Sequence, residues 1–98
     1  MAIGDMYTDI EDIASGSYKD LAVVEGSEAV IHNIYHAASI EIYRYDGVNN
    51  LLFASASGSG VYAYYAFHVG EVDRIRVKNI DGETQLIGFD GVYTKVTT

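Results

Sequence analysis

Cysteine, proline and tryptophan are absent from this chain, and basic residues are scarce: six lysines and arginines stand against fourteen aspartates and glutamates. Each absence excludes something. Without cysteine there is no disulfide staple, no thiolate metal site and no cysteine nucleophile, which argues against a small secreted disulfide scaffold and fits folding in a reducing cytosol. Without proline, no stretch is barred from the interior of a sheet. A formal net charge of -8 offers no general basic footprint for phosphate, so nucleic acid is not expected as a partner. No apolar run approaches the ~18 residues of a membrane span. The opening M-A-I-G-D-M-Y-T-D lacks the basic start and apolar middle of a signal peptide. The sequence predicts a soluble protein with no membrane partner.

The 98 residues make one domain. A chain of this size buries only roughly 60 to 65% of its unfolded surface, so it folds alone with little in reserve, and association with further copies is an accessible source of stability. Nine of the residues are tyrosine, well above the usual share. A tyrosine has a rigid apolar body and one polar tip, which suits surfaces that become covered. It is equally a good strand residue on a half-buried sheet. For the cluster around residues 62 to 65 the interface reading leads.

The pattern centres on Val61 to Lys78. Val61, Ala63, Tyr65 and Phe67 alternate with Tyr62, Tyr64, Ala66 and His68. After an acidic turn with Gly70, Ile75 and Val77 alternate with Arg74, Arg76 and Lys78. Period two over this length marks strands with one face in a core. The short connection predicts neighbouring antiparallel strands. Their outward faces are then Tyr62, Tyr64 and His68 on one strand and Arg74, Arg76 and Lys78 on the other. The basic stripe is expected to meet acidic groups, either on a neighbouring strand or arm of its own chain or on another subunit.

Residues 1–16 read as a separate N-terminal arm. Thr8 with Glu11 fits a capping box, Ile10, Ile13 and Ala14 give a small apolar stripe, and Gly16 a stop, so one or two helical turns are predicted. Such a short helix needs a surface to lie on. Its acidic groups and its anchors Met6, Tyr7 and Ile10 suggest a strap between subunits.

Residues 17–98 read as the sandwich. Strands are expected over 17–24, over E-A-V-I-H-N-I-Y-H at 28–36, over I-E-I-Y-R-Y at 40–45, from Leu51 onward, over 61–68, over 74–78, over 84–89 and over 92–97. In the second of these, Ala29, Ile31, Asn33 and Tyr35 share one face and Val30, His32, Ile34 and His36 the other, which predicts a central strand covered in part on both sides. Asp46-Gly47 to Asn49-Asn50 is a hairpin loop of four or five residues. The stretch 54–60 becomes a flexible small-residue loop, and Asp81-Gly82 and Asp90-Gly91 mark tight turns. Turn signals every eight to twelve residues predict an all-β fold, a small antiparallel β-sandwich, jelly-roll-like, with seven or eight strands.

No catalytic constellation is visible, and the protein is not expected to be an enzyme. The glycines form no phosphate loop. His32 and His36 lie about 13 Å apart along a strand, sharing a face without sharing a metal. Asp46, Asn49 and Asn50, or Asp81 and Glu83, carry oxygen donors of the kind calcium takes, but Asp-Gly and Asn-rich turns have a full explanation in their own backbone hydrogen bonds. Glu41 and Glu71 are not placed as a glycosidase pair. No cofactor and no metal are expected.

The order of signals, with I-E-I-Y-R-Y before D-G, a glycine-serine loop, and a strand ending F-H-V-G-E-V-D-R-I-R-V-K-N, resembles small β-sandwich virion proteins of tailed bacteriophages, the decoration or cement proteins and the tail- and neck-associated adaptors. The resemblance covers residues 17–98, with the arm before it. It implies a non-enzymatic virion protein, assembled in the host cytoplasm, trimeric or arrayed with itself, that decorates or bridges capsid or tail proteins. The expected interface is Tyr62, Tyr64, His68, Arg74, Arg76 and Lys78, with Met6, Tyr7 and Ile10 from the arm. From a different class comes a carbohydrate- or receptor-binding module, with Tyr43, Tyr45, Tyr62, Tyr64 and Tyr65 as a stacking platform beside the D-G-V-N-N loop.

Overall fold

Alternation of apolar and polar side chains governs the chain from end to end. The computed structural model describes residues 2–63 and 66–96, and every regular element among them is a β-strand. These are β1 Met6–Ile13, β2 Tyr18–Leu21, β3 Glu28–His36, β4 Ile40–Tyr45, β5 Asn50–Ala56, β6 Gly60–Tyr62, β7 Phe67–Val69, β8 Arg74–Asn79 and β9 Gln85–Lys95. One antiparallel sheet runs β1-β9-β3-β6, with β7 also on β3, and the second runs β2-β8-β4-β5. Between them lies a core of Leu21, Ile31, Ile34, Ile40, Ile42, Ile75, Val77, Ile87 and Phe89. This is the small β-sandwich that the composition and rhythm predict.

Five local expectations are corrected. The first is the helical arm. Residues 6–13 are a strand, paired with β9 along its whole length from Met6↔Val92 to Ile13↔Gln85. Thr8 does not cap a helix; its hydroxyl donates to the Phe89 carbonyl at 2.7 Å. A ladder to an existing strand satisfies the backbone without the cost of nucleating a short helix.

The second concerns β3. Its pairing with β9 shifts between Ile31 and Asn33, and this bulge reverses the side-chain parity. Ala29 and Ile31 face the core before it, and Ile34 and His36 after it. Strict alternation would have turned Ile34 outward, forfeiting about 1.5–3 kcal/mol of burial. The strand is therefore amphipathic throughout, and His32 and His36 lie on opposite faces.

Third, Asp90-Gly91 is no turn: the stretches expected as two strands are one, β9. Fourth, β7 and β8 are not neighbours. The 70–73 connection carries the chain from one sheet to the other, where β8 lies between β2 and β4. Fifth, the long strand expected over 61–68 gives two short ones, β6 and β7; with the arm a strand and two expected strands merged in β9, the described residues hold nine. The β4–β5 hairpin has its four-residue loop between Tyr45 and Asn50.

The two sheets are clasped at one edge by charge. Lys19, on the inward side of β2, is only 4% exposed, and its ammonium lies 2.7 Å from Asp9 and 2.7 Å from Glu11 on β1. The hydrogen bond and charge of Lys19 hold the Asp9 carboxyl below its ordinary range. Burial alone would lower the Lys19 value, but its two carboxylate partners outweigh this and raise it. Asp9→Asn with Glu11→Gln leaves the ammonium buried and unpaired. Because the carboxylates themselves are more than half exposed, the expected loss is about 1–2 kcal/mol, below the 3–5 kcal/mol of a fully buried pair. The wild type has this stabilisation above the unfolded carboxylate value, and loses it as pH falls from about 4 through the depressed Asp9 value. Urea titrations across that range are expected to show the wild type and the double variant converging in acid; parallel curves would remove the clasp as a source of stability.

Candidate functional site

The outer face of the five-stranded sheet carries several exposed apolar side chains. The register sets Met6, Val92, Val30 and His68 in one row across four strands, and Ile10, Gly88, Tyr35 and Val61 in another. Between them runs a polar row of Thr8, Asp90 and Asn33, and Leu86 extends the apolar edge beside Asp12. Met6 is 68% exposed and Ile10 64%, and Tyr35, Val61 and Leu86 are also open. Gly88 is the floor of the second row. A Cβ there would meet Ile10 Cγ1 at 2.6 Å, so the missing side chain lets Ile10 lie flat across β9.

The polar row is fixed internally. Asp90 accepts a hydrogen bond from Asn33 Nδ2 at 2.7 Å and another from the Tyr35 hydroxyl at 2.6 Å. That carboxylate raises the Tyr35 phenol above its ordinary value. The face therefore has internally bonded polar groups at its centre and exposed apolar side chains on both sides.

Of the residues expected at an interface, Met6, Ile10 and His68 come together on this face. Tyr7 does not. It points inward, with its hydroxyl donating to the Ala22 carbonyl, its ring 4.7 Å from Phe89, and its phenol pushed up to about 12, chiefly by burial. Tyr62 is also on the core side: it pairs with the inward Ile34 and stacks on Phe67 at 6.2 Å, while Val61 takes the outward position. Tyr64, like Tyr65, lies outside the described residues. Tyr35, Val61 and Leu86 complete the face and were not singled out from sequence. The β3 bulge hid Tyr35, the expected parity of β6 hid Val61, and Leu86 stands next to an equally apolar Ile87.

Arg74, Arg76 and Lys78 lie on the opposite side of the molecule, outward on β8, and the neighbouring strands answer their charge. Asp20 of β2 accepts from Arg74 Nη1 at 3.1 Å and from Arg76 Nε at 2.8 Å. The Arg76 guanidinium sits 4.2 Å over the Tyr18 ring and 4.9 Å over Tyr45, and the Lys78 ammonium 5.7 Å over Tyr18. Glu41 stands across from Lys78 in the register and accepts from Tyr43, which raises the Tyr43 phenol to about 12. These contacts hold the stripe within its own sheet. Of the rings expected as a stacking platform for sugar, Tyr43 and Tyr45 belong to this face and Tyr62 to the core side of the other sheet, so these three do not share a surface.

At one end of the sandwich an open cleft of about 230 Å³ is lined by Glu28, Arg44, His68, Glu71 and Asp73, among others. Arg44 donates to the His68 carbonyl. Among the described residues no group of three His, Asp or Glu is placed to hold a metal ion. In the hairpin loop Asp46 accepts from the amides of Val48 at 2.9 Å and Asn49 at 2.6 Å, bonds that lower its pKa and engage the carboxylate with its own backbone. Set against family models and curated proteins, the chain matches none.

Proposed function

We propose that the protein is a structural subunit of a bacteriophage particle, assembled in the host cytoplasm, that decorates or bridges capsid or tail proteins through the outer face of its five-stranded sheet. The observation that carries this reading is that face itself. Contiguous exposed apolar surface beyond a few hundred Å² marks an interaction site on a soluble protein, and here exposed Met6, Ile10, Tyr35, Val61 and Leu86 flank a polar row fixed by Asn33, Tyr35 and Asp90. The strand order supports the same reading. With β6 and β7 taken as one interrupted strand, the two four-strand orders β1-β9-β3-β6 and β2-β8-β4-β5 support a jelly-roll-like reading, an architecture common to viral capsid and lectin domains. That is an analogy of fold, and the site must bear the function.

Particles banded from a culture producing the protein are expected to carry the chain, as detected by immunoblot. Ile10→Lys plants a charge in the face while its stem still covers Gly88. As a change at an exposed position it should alter stability by no more than about 0.5 kcal/mol, yet weaken incorporation about tenfold or more, the equivalent of about 1.4 kcal/mol of contact. A chain that never sediments with particles, or an Ile10→Lys variant incorporated like wild type, overturns the proposal.

A further inference from the structure

The four edges of the two sheets are not treated alike. An open edge is a row of unpaired backbone groups, and proteins guard it with charge, brevity, proline or distortion. The β1 edge carries Asp9, Glu11 and Asp12. The β2 edge is four residues long with Lys19 and Asp20, and β6 and β7 are three residues each. The fourth edge is β5, seven residues reading N-L-L-F-A-S-A. Among the described residues it pairs with β4 alone. Leu51 on it is 64% exposed, and Leu52 and Phe53 are open as well. No Asp, Glu, Lys or Arg occurs from Gly47 to Gly70, so no charge guards it. Its one irregularity is a bulge at Phe53, where the register passes from Ile42↔Ala54 to Tyr43↔Leu52, and there the ring turns to within 5.4 Å of Phe67.

We infer that β5 is a homotypic pairing edge, at which two copies of this chain join antiparallel and unite their four-stranded sheets into one. The occupant follows from charge. Two copies at -8 each repel over most of their surface, and this is the long edge where they meet without opposing carboxylates. A strand paired antiparallel with its own copy makes an isologous contact that closes as a two-fold dimer, a different symmetry from the trimer implied by the phage resemblance. Backbone hydrogen bonds would supply the pairing, and Leu51, Leu52 and Phe53 the cross-strand contacts. The inference does not depend on the outer face of the other sheet meeting a particle.

Sedimentation of the full chain over a dilution series tests it. Wild type is expected to dimerise reversibly. Leu52→Lys with Ser55→Lys sets like charges across the two-fold on either side of the bulge, beside Tyr43 and Glu41 of β4, and is expected to weaken dimerisation about tenfold or more. The variant should keep the wild-type circular dichroism. Ile10→Lys, the variant that tests the outer face, is expected to dimerise normally, so the two proposals fail separately. Hydrogen exchange supplies a readout that needs no variant: amides of residues 50–56 should gain protection as concentration rises. A monomer at every concentration, a closed trimer indifferent to the lysines, or protection gained at β1 in place of β5 overturns the inference.

Discussion

Gly91→Ala is expected to cost about 3 kcal/mol or more, at the upper end of what overpacking does. For a domain of this size that is a drop in melting temperature of roughly 12 to 24 °C. The reason is distance. A Cβ built on Gly91 would lie 2.0 Å from the Val30 carbonyl oxygen and 2.9 Å from Ile31 Cα. Both are backbone atoms of β3, at the middle of the pairing that holds the five-stranded sheet together, so no side chain can rotate away. β9 must separate from β3 or from β1, and either movement breaks ladder hydrogen bonds. Gly82→Ala is the matched control, since a Cβ there meets nothing within 4 Å, and its expected effect is within about 0.5 kcal/mol. Thermal unfolding followed by circular dichroism measures both. A Gly91→Ala variant that melts with wild type would mean that the sheet yields at its centre.

The same glycine shows where sequence reading stopped. Asp90-Gly91 has the composition of a tight turn, because aspartate and glycine supply local hydrogen bonding and conformational freedom. Here the two residues serve other ends: Asp90 organises the polar row of the outer face, and Gly91 makes room for a neighbouring backbone. Nothing local distinguishes these uses. What was legible was the period-two pattern wherever a strand runs unbroken. The core positions Ile40, Ile42, Ile75 and Val77 follow from alternation alone, and the hairpin at Asp46 to Asn49 from its turn residues.

Parity failed where the chain inserts a residue. The bulge at His32–Asn33 and the break between β6 and β7 each reverse the faces, and a bulge is set by pairing with a distant strand, so its signal is not in the window being read. That is why Tyr62, assigned outward, packs on the core, and why Val61 and Tyr35 emerge on the outer face. The N-terminal residues were misread for a related reason. Thr8 and Glu11 have capping-box spacing, yet their partners, Phe89 and Lys19, lie in other strands. Of the candidate face, Met6 and Ile10 were visible only as apolar anchors of an acidic arm expected to be helical, and His68 as an outward position on the expected 61–68 strand. The basic stripe was visible too, and one of the two covers weighed for it, a neighbouring strand, is the one Asp20 supplies.

Asn79→Asp, a change of one atom type, is expected to destabilise the protein by about 3 kcal/mol or more at neutral pH, and by less in acid. Asn79 is 0% exposed and every polar capacity of its side chain is used. Its amide nitrogen donates to the carbonyls of Ile13 and Glu83, each at 2.8 Å. Its oxygen accepts from the Asp81 amide at 2.9 Å and from Gln85 Nε2 at 2.7 Å. One side chain thus ties the end of β1, the 80–84 loop and the start of β9 to β8, joining the two sheets. A carboxylate keeps the two accepted bonds but confronts two carbonyl oxygens that have lost their donors, in a site closed to water. Its folded pKa must therefore rise above the unfolded value of about 3.9, because protonation restores one donor. A raised folded value means that the variant is least impaired below pH 4 and loses stability as pH rises through that value. This is opposite in sign to the acid loss at the Lys19 clasp. Asn79→Leu separates charge from lost hydrogen bonds, since its deficit should be independent of pH. Urea unfolding of both variants at about pH 4 and pH 7 decides the matter: an Asn79→Asp deficit that is flat with pH would show that the site admits water or rearranges, and that the junction between the sheets is held elsewhere.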